Sequence, residues 1–63
     1  METKDIIKLL KQEKRLLRIV YDYVETIRAA ATPVSDDDEL YYYSLSVLEG
    51  CGKYDSKTGE LVW

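Results

Sequence analysis

Residues 4–31 read KDIIKLLKQEKRLLRIVYDYVETIRAAA, a stretch without Pro or Gly in which apolar side chains recur at helical spacing. With Ile6 at heptad position a, that row continues through Glu13, Val20 and Ile27. Leu9, Leu16, Tyr23 and Ala30 fall at d, and Leu10, Leu17, Val24 and Ala31 at e. The result is the broad apolar stripe of a helix that packs in a bundle. The stripe predicts one long helix over residues 4–31, roughly 42 Å at the usual rise. Thr3 serves as its expected N-cap. One polar run, Lys11-Gln12-Glu13-Lys14-Arg15, interrupts it. Glu13 is then either solvated, paired with a base one turn away, or a polar residue fixing register between two chains.

Working outward, Thr32-Pro33-Val34 ends this helix, because Pro33 disfavours helical geometry at Thr32 and has no N–H to donate. Ser35 with Asp38 resembles a capping box and predicts a second, shorter helix over residues 36–49. Leu40, Tyr41, Tyr43, Leu45, Val47 and Leu48 span about 200° of it, an arc wide enough for more than one neighbour. Ser44 lies inside that arc and is small enough to admit a crossing helix. Gly50 is expected in the left-handed position that follows a helix. The tail from Lys53 to Trp63, with Asp55 opening and Gly59 closing its loop, reads as a small β-hairpin or extended tail. Tyr54, Leu61 and Trp63 are its expected anchors on the first helix.

The predicted architecture is mainly α, a single small domain over 1–63: an antiparallel helical hairpin with a small C-terminal ribbon. A short helix cannot cover a long one. Seventeen Ile, Leu and Val residues must also offset an ordering cost of about 1.5 kcal/mol per residue. Both points favour a homo-oligomeric bundle. Ile6, Leu9, Leu10, Leu16, Tyr43, Val47 and Trp63 are the candidate interface residues.

The formal charge of −3 conceals an asymmetry. Residues 1–18 carry six bases and three acids, whereas residues 19–63 carry three bases and nine acids. Lys4, Lys8, Lys11, Arg15 and Arg18 follow one helical stripe, either a solvated face or a site for an anionic partner. Asp36-Asp37-Asp38-Glu39 suits the first turn of a helix, where carboxylates favour the free N–H groups and the dipole. An EF-hand is excluded, since Tyr41 and Val47 occupy the positions of its Gly and bidentate Glu. Tyr42, facing away from the apolar arc, joins Asp36 and Asp37 as a candidate contact surface.

The chain has no His, one Cys and four scattered Ser, so no nucleophile–base pair can be assembled and no enzymatic activity, metal or cofactor is expected. The unpaired Cys51, the lack of a secretory signal and the lack of a membrane-length apolar run predict a soluble cytoplasmic protein. Small size, missing catalytic groups and a single domain are similar to many phage or mobile-element accessory proteins, including inhibitors of host defence. That resemblance implies a protein that binds and inhibits a host macromolecule, in the host cytoplasm if phage-encoded. Two other readings stand beside it: an oligomer sequestering a nucleotide-like anion between subunits, and, less favoured for an acidic chain, a nucleic-acid-binding regulator using the basic stripe.

Overall fold

The expected long helix is broken at Glu13, in the middle of the polar run. A computed structural model describes residues 2–31 and 33–63. It contains α1 (Thr3–Gln12), α2 (Lys14–Ala29), α3 (Glu39–Gly50), β1 (Tyr54–Asp55) and β2 (Glu60–Leu61). Glu13 has φ −107° and ψ 83°, so one residue leaves helical geometry while its N–H still donates to the Leu9 carbonyl at 2.8 Å. Its own carbonyl restarts the ladder, accepting from Leu16 and Leu17. A break strands backbone groups on both sides, and residues 11–16 are all exposed, so water can satisfy them. The polar run is where interruption costs least.

The gain is a closed core. A straight rod of roughly 42 Å would project beyond a molecule whose extents are 31 × 24 × 22 Å. Bending at Glu13 lets α1 and α2 both pack on α3, and each other, so the architecture is a three-helix arrangement rather than a two-helix hairpin. Leu10 from α1, Leu17, Tyr21 and Val24 from α2, and Tyr41, Val47 and Leu48 from α3 form the buried cluster. Val24 and Leu48 are fully enclosed, and each such side chain contributes about 1.5–3 kcal/mol of transfer free energy.

The helix ends also differ from expectation. Glu2, not Thr3, precedes α1, its carbonyl accepting from Asp5 and Ile6 without any side-chain cap. α2 ends at Ala29, two residues short of the predicted bound, with Ala31 in the left-handed region at φ 53°, and Thr32 of the predicted breaker lies outside the described residues. α3 begins three residues later than predicted, because Asp38 is the N-cap: its Oδ1 accepts from the Tyr41 N–H at 3.1 Å. Ser35 instead accepts from the Asp37 N–H, forming a separate turn. Gly50 remains helical, and the left-handed residue is Gly52 at φ 77°. Gly50 has a different use: it faces the side chain of Ile7, so α1 crosses α3 where there is no Cβ.

The tail is a two-stranded antiparallel hairpin with Tyr54 opposite Leu61 and Asp55 opposite Glu60. Asp55 Oδ1 accepts from the Lys57 N–H at 2.9 Å, and Gly59, at φ 74°, returns its N–H to the Asp55 carbonyl. Two residues per strand cannot hold such a ribbon alone. It rests on α3 through β1, while Arg28 of α2 donates to the Gly59 carbonyl and lies 5.9 Å from the Tyr54 ring centroid. No helix among the described residues is long and apolar enough to cross a membrane.

Candidate functional site

Covering α1 and α2 with a twelve-residue α3 leaves apolar surface on one side. There the three helices enclose a shallow groove of about 170 Å³ lined by Ile6 and Leu10, by Val20, and by Leu40, Tyr43, Ser44 and Val47. None of these side chains is charged. The Ser44 hydroxyl in this lining is already satisfied, donating to the Leu40 carbonyl at 2.8 Å. Leu40 stands 63% exposed on the rim, with Tyr43 also exposed. Leu9 is one helical step from Ile6, and Leu16 one step from Val20. Both are exposed, extending the apolar face along α1 and α2.

The sequence-predicted interface therefore divides. Ile6, Leu9, Leu16 and Tyr43 do present apolar surface. Leu10 and Val47 do not: at 5% and 2% exposure they belong to the core of a single chain, because α1 bends back and covers α3 itself. Trp63 remains 52% exposed and also has contacts within the chain. Its ring meets Tyr21 edge-on at 5.2 Å between centroids, and the Arg18 guanidinium lies 4.7 Å from its centroid. Leu40 was expected inside the arc of α3 and emerges instead at the rim, in the first turn of that helix. Ile19, also exposed, carried no signal in the heptad reading.

The basic stripe is not continuous. Lys4, Lys8 and Lys11 lie on α1, Arg15 and Arg18 on α2 beyond the break, and all five are exposed. Lys4 pairs with Glu2 at 3.5 Å. Arg18 pairs with Asp22 at 3.1 Å and rests on Tyr21 and Trp63, which gives it a structural task. The bend redistributes the remaining bases: Lys11 and Lys14 meet Lys53 around a second concavity of about 290 Å³, completed by Leu17, Cys51 and Trp63. Nothing in the chain order advertised this gathering, since Lys53 is far from the other two in sequence. The Cys51 Sγ lies 3.8 Å from the Ile7 carbonyl, and burial raises its thiol pKa while the ammonium groups of Lys11 and Lys53 pull it the other way.

Asp38 of the acidic run is spent on capping α3, and Asp36 and Asp37 form an exposed turn. No group of three metal-ligating side chains gathers among the described residues. Tyr42 is exposed, its ring edge-on to Tyr41 at 5.4 Å. No family model, no curated protein and no solved structure matches this chain.

Proposed function

We propose that this chain is a non-enzymatic interaction protein that works as a pair of copies joined through the apolar face around Ile6, Val20 and Leu40. The observation that carries this reading is the uncharged groove built from all three helices, with Leu40 63% exposed on its rim. A second copy is the occupant that fits best, because it brings an equal apolar face together with the opposite charge. Residues 1–18 carry a surplus of three bases and residues 19–63 a surplus of six acids. A two-fold arrangement sets the basic end of one copy against the acidic body of the other. A standard interface needs about 800 Å² from each partner, a modest share of the 4661 Å² surface. The paired unit would then act by occupying the surface of a larger protein, as an accessory protein blocking a host macromolecule does. Tyr42 with Asp36 and Asp37 supplies an exposed aromatic and acidic contact for that purpose.

Analytical ultracentrifugation tests the assembly. The wild-type chain is expected to sediment as a dimer at micromolar concentration, and Leu40→Glu as a monomer with unchanged helical circular dichroism. A wild-type monomer at the highest soluble concentration would refute the reading, as would a Leu40→Glu variant that still pairs.

A further inference from the structure

The basic concavity shares no lining residue with the apolar groove, and neither the fold nor the pairing of copies accounts for it. We propose that the cleft formed by Lys11, Lys14, Lys53 and Trp63 binds a nucleoside monophosphate, with the phosphate among the three ammonium groups and the base against the indole and Leu17. Three features of the cleft support this. Its three lysines come from α1, from the start of α2 and from the segment after α3, and no Asp or Glu carboxylate lies within ion-pair distance of any of them among the described residues, while Lys53 Nζ donates to the main-chain oxygen of Trp63. Like charges drawn around one cavity repel, in a chain whose acids outnumber its bases twelve to nine. A phosphate between them removes that repulsion and adds charge-assisted hydrogen bonds. The cleft also opens beside the first turn of α2, whose N-cap Glu13 makes no side-chain cap bond. The Lys14 and Arg15 N–H groups there have no main-chain acceptor among the described residues and can donate to an anion.

The aromatic wall is held in place rather than free to swing. Trp63 is 52% exposed, braced by Tyr21 and Arg18. Its main-chain oxygen accepts from Lys53 Nζ at 3.3 Å, and the same ammonium lies 4.7 Å from the ring centroid. Lys53 is thus poised to move from the indole to a phosphate while a planar base takes its place, exchanging a cation–π contact for stacking. At about 290 Å³ the cleft lies just below the roughly 300–1,000 Å³ typical of small-ligand pockets.

Trp63 is the only Trp in the chain, so its emission reports on this cleft. The test is a fluorescence titration with adenosine 5′-monophosphate, adenosine, inorganic phosphate and a single-stranded oligothymidine. The expected result is a saturable change with the monophosphate, and binding weaker by roughly tenfold or more for adenosine, which lacks the charge-assisted hydrogen bonds, and for inorganic phosphate, which lacks the stacked base. Lys11→Gln with Lys14→Gln should weaken the monophosphate by at least the same factor while leaving the circular dichroism unchanged, both side chains being exposed. No saturable response to the monophosphate overturns the proposal, and so does an undiminished response in the double variant. Tighter binding of the oligothymidine, falling steeply with salt, would make the cleft a nucleic-acid contact and equally overturn it. Sedimentation of the same samples keeps this outcome separate from that of the dimer.

Discussion

Lys14→Pro separates a chain broken at Glu13 from one that runs through it. In an uninterrupted helix over residues 4–31, position 14 is interior. Proline there would remove a hydrogen bond and collide with the preceding turn, costing about 3 kcal/mol or more. In the structure Lys14 is the first residue of α2, where the N–H has no intrahelical partner and proline's fixed φ is favourable. Glu13 already has the extended φ of −107° that a residue before proline prefers, and its ψ of 83° needs to open only moderately. The expected cost is below about 1 kcal/mol, within the range tolerated at first-turn positions. The difference is decisive, because a chain of 63 residues has a total stability of about 3–9 kcal/mol. Urea denaturation followed by far-ultraviolet circular dichroism and by Trp63 emission measures it. Glu25→Pro, exposed in the middle of α2, is the control and should lose most of its stability. If Lys14→Pro proves as damaging as Glu25→Pro, the reasoning about the break is wrong.

Two further outcomes follow from packing and charge. Gly50→Ala places a Cβ onto Ile7 Cδ1 and 3.0 Å from Ile7 Cγ1; overpacking of about 1–3 kcal/mol should outweigh a helix-propensity gain of at most about 1 kcal/mol. The loss should shrink when Ile7→Ala is combined with it, and strict additivity in a double-mutant denaturation cycle would show that the two residues do not meet. Cys51 titrates from a folded pKa raised above its ordinary 9.0 by burial. Its contribution to stability is therefore fully present below the unfolded pKa and is lost as pH rises through the folded one. Wild-type urea midpoints should accordingly fall more steeply than those of Cys51→Ser on going from neutral to alkaline pH, and parallel profiles would contradict the burial of the thiol.

What the sequence by itself determined is local. Periodicity over residues 4–31 and around Leu40 to Leu48 requires helices, since only that geometry puts those side chains on one side. The Asp55 to Gly59 turn requires a ribbon, because Asp accepts from the backbone and Gly supplies positive φ. Ser44, small within the apolar arc, could be read as a site of close packing, and it is buried. Even the break left a trace, in the polar run Lys11 to Arg15 that interrupts the stripe. Tertiary structure decided the rest. Helical spacing relates a residue to its neighbours three and four positions away, but not to a helix tens of residues distant. Whether Leu10 and Leu17 face one partner or two depends on the cost of opening the ladder at Glu13 against the apolar surface buried when α1 folds back over α3. That single bend moves Leu10 and Val47 from an expected interface into the core and divides the basic stripe. It also brings Lys11 and Lys14 beside Lys53 and Trp63. Both candidate sites lie where separate helices meet, and the chain closes on itself there only once all three have packed.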